Sequence, residues 1–287
     1  MSHTAPIVFT ALALSVTSGC AANGGVSEEG SGLSPASAVH ASAVRLPPVG
    51  GRFDYQLGAA YEPDGGLDVV ERDASAEPLS GAYGICYVNG FQTQPGEAGL
   101  WTGENEDLLL HDGDGELVVD PDWPDEYVLD PGGEGRRERI LAILGPVISG
   151  CASDGFDAVE IDNLDTWTRF DAVTRDDAFA LARGYVDLAH GAGLAVGQKN
   201  AAEATEAGRE LGFDFAVTEE CGAYEECGAY RAAYGEQVLQ VEYTDNLPVS
   251  FAQLCADPDR APLTILRDRE LVGPGDPGYV LEQCGMR

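Results

Sequence analysis

Lysine occurs once in 287 residues, at position 199, and the other fifteen strongly basic side chains are all arginine. Sixteen basic residues stand against 49 acidic ones, a formal net charge of −33, which excludes nucleic acid and an anionic membrane surface as partners. The same excess suits a cationic partner, though solubility or growth in high salt would produce it too. Histidine is scarce, with four in all, and no two cysteines have CxxC spacing, so a zinc site is not expected. An Asp112-Gly113-Asp114-Gly115 turn lacks the further acids and closing Glu of a calcium loop. No Gly-rich phosphate loop follows an early strand, which argues against a dinucleotide-binding open sheet. No cofactor or metal is expected.

Long apolar runs are also missing. The longest near the start, Pro6 to Val16, is too short to span a bilayer and is followed by Thr17-Ser18-Gly19-Cys20. Small residues before a cysteine resemble a lipoprotein processing site, which makes Cys20 the candidate lipidated residue. Thr17 in place of an aliphatic residue, and a start without Lys or Arg, leave a plain signal peptide as the alternative. Residues 1–20 therefore read as a leader, 21–48 as an Ala/Gly/Ser tether, and 49–287 as one exported domain. Any membrane contact would be through the lipid alone.

Setting Cys20 aside leaves six cysteines, an even set fitting an oxidising compartment. Fifteen pairings are open. Spacing makes Cys221–Cys227 the easiest closure, and Cys255–Cys284 would secure the tail.

What is present is an alternation of strand-like and helix-like segments. Strands are expected at 53–57, 67–73, 83–89, 158–162, 194–200, 213–220, 238–243 and 263–268, with helices at 136–151, 176–192 and 201–211. Eight such units in about 240 residues predict an α/β protein, a closed (β/α)8 TIM barrel, with a loop and hairpin inserted after the third strand.

In such a barrel, functional groups collect at the C-terminal strand ends. The fourth strand shows this best. Ala158-Val159-Glu160-Ile161-Asp162 puts Val159 and Ile161 on one face and ends on a carboxylate, followed by Asn163. Turning bulky apolar residues toward the helices in every strand leaves Gln56, Asn89, Asp162, Lys199, Glu220 and Glu242 facing inward, with Asp73 and Asp268 completing the ring. Between Glu219 and Glu220 the alternation selects Glu220. The amide-rich loop after the third strand adds Gln92, and the Cys221–Cys227 loop would hold Tyr224 beside Glu220. Lys199 is singled out because a chain that otherwise uses Arg has kept a compact ammonium at a strand end.

These blocks, FDYQLG (53–58), YVNGFQTQP (87–95), VEIDNLDTWTR (159–169), GQKN (197–200), FDFAVTEEC (213–221), VEY (241–243) and LRD (266–268), resemble glycoside hydrolase family 114, the endo-α-1,4-polygalactosaminidase-like proteins. The resemblance covers residues 53 to 284 and implies a (β/α)8 barrel. It further implies endo-cleavage of α-1,4-linked galactosamine polymers, some of them cationic, by a single-chain enzyme. It places the carboxyl pair at Asp162, as nucleophile, and Glu220, as general acid/base. On this reading burial and Glu242 would raise Glu220, and Lys199 would keep Asp162 ionised. Gln56, Asp73, Asn89, Gln92, Asn163, Lys199, Tyr224, Glu242, Tyr243 and Asp268 are then assigned to sugar recognition. A non-catalytic polysaccharide-binding lipoprotein on the same barrel, or a glycosidase acting on another α-galactoside, are the alternatives.

Overall fold

A computed structural model describes residues 44–285. Cys20 and the leader lie outside the described residues, as does the tether up to residue 43. Eight parallel strands run in sequence order: β1 (Phe53–Gln56), β2 (Val69–Asp73), β3 (Tyr83–Asn89), β4 (Ala158–Asp162), β5 (Ala195–Lys199), β6 (Phe215–Glu219), β7 (Val238–Tyr243) and β8 (Leu263–Arg267). A ninth, β9 (Leu281–Gln283), pairs antiparallel with β8. All eight expected strands are present, and β9 is an addition the sequence pattern did not announce.

β9 closes the barrel at the β8–β1 seam. The Gln283 side chain bridges it, accepting from Phe53 N (3.1 Å) and donating to Gly51 O (2.7 Å). Arg267 reaches across the same seam to Asp54 Oδ1 (2.7 Å) and the Tyr55 carbonyl. Both charges of that pair are fully buried, so their mutual contact and hydrogen bonds must offset desolvation.

The helix layer is built as the pattern predicts. Glu134–Asp154 ends at Gly155, whose φ of 99° reverses the chain into β4. Arg175–Gly191 starts at Thr174, whose hydroxyl caps Asp177 N (3.1 Å), and it packs against Glu134–Asp154 outside β3 and β4. Val88, Val159, Ile161 and Val196 face these helices.

The barrel interior is a second core. Phe53, Tyr55, Ile85, Phe215, Val217, Leu239, Val241 and Ile265 form one buried cluster, a meeting that residues of opposite strands can make only through the middle of the barrel. Each large side chain so buried contributes roughly 2–3 kcal/mol. Gly197 makes room for it, because a Cβ there would meet the Phe215 ring at 2.7 Å.

This interior overturns part of the facing expected from sequence. For β3, β4 and β5 the polar set does point inward. For β1, β6 and β7 the order is reversed: Phe53 and Tyr55, Phe215 and Val217, and Leu239 and Val241 point in. Gln56 and Glu242 therefore face the outer layer. The reason is that a small barrel's centre must be filled as tightly as its outside, so bulky residues do not all choose the helix side.

Three disulfides form, Cys86–Cys151, Cys221–Cys227 and Cys255–Cys284, which suits an oxidising compartment. The second is the closure that spacing made easiest, and the third is the pairing expected to secure the tail. The packed chain already includes Val44, which lies against the inner cluster, and Arg45, whose carbonyl accepts from the Tyr83 hydroxyl at 2.6 Å. No helix among the described residues is long and apolar enough to cross a membrane.

Candidate active site

At the C-terminal ends of the strands the barrel opens into a cup of about 530 Å³. Its floor is Lys199. The ammonium is almost fully buried and donates to Tyr55 Oη (2.8 Å) and Glu160 Oε1 (2.9 Å). It also stands 3.5 Å from Asp162 Oδ1 and 3.4 Å from Glu219 Oε2. One cation thus sits among three carboxylates contributed by β4 and β6. Those neighbouring charges outweigh the effect of burial and hold Lys199 well above the usual lysine range.

Asp162 is fixed from three sides. Tyr87 donates its hydroxyl to Oδ2 (2.6 Å), Asn163 N donates to Oδ1 (2.7 Å), and Lys199 stands beneath. Asn163, at φ 64°, turns the chain away as soon as β4 ends, and its side chain is held by Asn89 (3.0 Å) and Arg169 (2.6 Å).

Glu219, rather than Glu220, is the last residue of β6 and points inward. Its Oε1 accepts from the Tyr243 hydroxyl and its Oε2 from Asn200 Nδ2 (3.2 Å). Burial alone would push Glu219 up, but Lys199 and these donors hold it below the ordinary glutamate value. Glu220 has left the strand. Its φ of 59° breaks the alternation at the point where it was used to choose between the two. Glu220 still lines the cup, with Oε1 at 2.7 Å and Oε2 at 3.1 Å from the Arg269 guanidinium, which stacks on Tyr243. Nothing in this arrangement draws on Glu242: its Oε1 accepts from Gln240 Nε2 (2.7 Å) and Gly222 N (2.8 Å) in the outer layer.

Beneath Lys199 lie Glu71 and Glu160, both fully buried. Written as two carboxylates, both Glu71 oxygens and Glu160 Oε2 have no donor among the described residues. A proton on Glu71 resolves this, since the carboxyl then donates to Glu160. Burial, the Glu160 charge and that hydrogen bond all push Glu71 well above the carboxylate range. A raised folded value is stabilising below the unfolded value and loses that contribution as pH rises. Glu71→Gln, a mimic of the protonated form, is therefore expected to fold normally and to gain stability over wild type toward alkaline pH. The gap should widen by up to about 1.4 kcal/mol per pH unit. Urea unfolding from pH 6 to 9 checks it, and a constant gap would mean that Glu71 is ionised.

Of the residues expected at the site, Asp73, Asp162, Asn163, Lys199, Glu220 and Tyr243 line the cup. The rest stand behind it or apart from it. Gln56 is used internally, donating to Asp54 (2.9 Å) and accepting from Arg72 (3.0 Å). Asn89 donates to Glu126 (2.7 Å), Gln92 to Asp120 (2.7 Å), and Asp268 accepts from Val272 N (2.9 Å) to brace the chain after β8. Tyr224 is exposed, with its backbone on Glu220 and its hydroxyl accepting from Asn246 at 3.3 Å.

Sequence reading missed Tyr55, Glu219, Arg269, and the insertion residues Trp123 and Glu126, all of which line the cup, as does Tyr87, which strand parity turned inward without a role. Burial, followed by the charges of Asp162 and Asp120, pushes Glu126 up to about 7 despite the Asn89 hydrogen bond. Tyr87 was legible from strand parity; Trp123 and Glu126 sit in a loop that no periodicity places. Cys221, Cys227 and Glu242 bring ligand-type atoms within 4.8 Å, but both sulfurs are committed to a disulfide. A second hollow of about 610 Å³, near Arg45 and residues 77–82, lies at the opposite, N-terminal end of the strands, the end associated with stability.

A parallel barrel whose strand ends carry ionisable and amide side chains around an open, aromatic-edged cup is the architecture of a carbohydrate-processing (β/α)8 enzyme. Residues 34–287 match the model of glycoside-hydrolase family GH114. The chain belongs to that family and is a glycoside hydrolase. Among solved structures it is similar to Ega3 from Aspergillus fumigatus, in complex with galactosamine, at 20% identity and TM-score 0.65 over 85% of this chain and 99% of that one. It is also similar to the glycoside hydrolase domain of PelA from Pseudomonas aeruginosa, at 13% identity and TM-score 0.51 over 79% and 98%. At these identities the likeness concerns the fold. No curated protein sequence matches the chain.

Proposed function

We propose that the enzyme cleaves α-1,4-linked galactosamine polymers within the chain, using Asp162 as nucleophile and Glu219 as general acid/base. The observation that carries this reading is Lys199, whose one ammonium lies within 3.5 Å of both carboxylates at the base of the cup. Family membership and the galactosamine bound by Ega3 support the substrate. So do the acids Asp73, Asp122, Glu126 and Asp165 in the lining, which suit ring amines carrying positive charge.

Asp162, held by Tyr87, Asn163 N and Lys199 and without a bidentate cation, keeps a face open to an anomeric carbon. Glu219 is the more accessible of the pair and lies across Lys199 from it, where a leaving oxygen can take its proton. The shared ammonium keeps their nearest oxygens within about 7 Å of each other, close enough for the two carboxyl groups to flank one glycosidic bond.

A general acid held below the ordinary glutamate value works best at low pH. Release of short oligosaccharides from partly deacetylated α-1,4-galactosaminan should therefore show kcat/KM falling from acid to neutral pH, approaching about tenfold per unit as protonated Glu219 is depleted. Polymer bound but left uncut at every pH would reject catalysis on this substrate. Release from a neutral α-galactan alone would reject the amino sugar.

A further inference from the structure

The loop between β3 and the first long helix carries an exposed indole that the catalytic reading leaves without a task. Trp123 is 55% exposed, although the chain's other two tryptophans are buried or packed under Arg175. Of the described large apolar side chains most open to solvent, Trp123 alone lines the cup that holds Asp162 and Glu219.

Its backbone is tied down. Asp120, fully buried, accepts from Gln92 Nε2 (2.7 Å), from Arg169, and from Asp122 N (2.9 Å) just before the tryptophan. After it, Glu126 N donates to the Trp123 carbonyl (2.9 Å), and the Glu126 carboxylate is gripped by Asn89 at 2.7 Å. Asn89 also holds Asn163, next to Asp162. The turn bearing the indole is thus fastened through polar contacts to the same strand ends that carry the site. A pinned backbone presenting a bare aromatic face at the rim of a cup is a preorganised platform, with little ordering entropy left to lose on binding.

We infer that Trp123 forms an outer sugar subsite, its indole packing against the C–H face of a pyranose in the bound polymer, remote from the bond that is cut. This rests on the proposed substrate. The ring it takes belongs to an amino sugar, since Asp73, Asp122 and Glu126 line the same cup and, among the described residues, no arginine forms an ion pair with them as Arg269 does with Glu220.

The test uses the protein inactivated by Asp162→Asn and titrated with galactosamine and with long α-1,4-galactosamine oligosaccharides. Long oligosaccharides are expected to change tryptophan emission, and Trp123→Phe should abolish that change while keeping most of the affinity. Trp123→Ala should weaken long-oligosaccharide binding about tenfold and leave galactosamine binding unchanged. In the active protein it should raise KM for polymer with kcat preserved. Equal affinity of Trp123→Ala and its parent for long oligosaccharides would overturn the subsite and leave the proposed reaction standing. If the parent binds no galactosamine oligosaccharide at all, the substrate reading fails and the subsite fails with it.

Discussion

Asp162→Asn and Glu219→Gln are each expected to lower kcat on galactosaminan by about a thousandfold or more, while Glu220→Gln loses no more than about tenfold. The asymmetry between adjacent glutamates follows from where each side chain goes. Glu219 ends β6 facing inward, 3.4 Å from the ammonium that also touches Asp162. Glu220 sits beyond the strand in a left-handed conformation, with both oxygens engaged by Arg269. Neutralising it leaves Arg269 held by Asp245 and stacked on Tyr243 but loosens a wall of the cup, which costs binding more than chemistry. Steady-state kinetics of the three variants, with circular dichroism to confirm equal folding, decides the matter. If Glu220→Gln is the dead variant and Glu219→Gln is active, the residue chosen by simple alternation is the acid after all.

Lys199→Met should destabilise the fold by about 3–5 kcal/mol and remove activity. The loss is this large because Glu160 is fully buried and the ammonium is its one cationic partner among the described residues, at 2.9 Å. Deleting the cation leaves a charge in the barrel interior with only the Glu71 hydrogen bond to offset its desolvation. Adding Glu160→Gln to Lys199→Met should restore most of the stability, since the uncompensated charge is then gone. Activity should stay low in the double variant, because Asp162 and Glu219 still face each other without the cation between them. Whatever activity remains should have its fall with rising pH moved to higher pH, as Glu219 is no longer held down. Chemical denaturation of the wild type, single and double variants measures the coupling. Additive effects, or a single variant as stable as wild type, would show that Lys199 is not the electrostatic centre of the site.

Much of this protein was legible in its sequence for physical reasons that are local. Ala158–Asp162 reads correctly because Val159 and Ile161 are its only bulky residues, so one face is plainly the helix side and the other ends in a carboxylate. Lys199 stands out because its position is the single exception to a chain-wide use of arginine. Cys221–Cys227 needs only six residues of chain to close. Strands, helices and the blocks that mark the family are statements about neighbouring residues, and neighbouring residues are what a sequence displays.

The rest was decided by contacts between distant parts of the chain. Whether Phe215 and Val217 point at the helices or at the barrel axis depends on which space Gly197, Ala158 and Ala195 leave empty on other strands. That choice set Glu219 inward, and the φ of Glu220 then removed it from the strand altogether. In the same way, burial and the neighbouring Glu160 push Glu71 up because β2 and β4 bring the two carboxyl groups together under Lys199. Trp123 reaches the cup because Asp120, Arg169 and Asn89 fold the insertion back onto the strand ends. The sequence by itself determined the barrel, its family and the strand carrying Asp162. The tertiary structure alone decided which side of β1, β6 and β7 faces the axis, because a period of two yields two equivalent faces and only packing against the other strands distinguishes them.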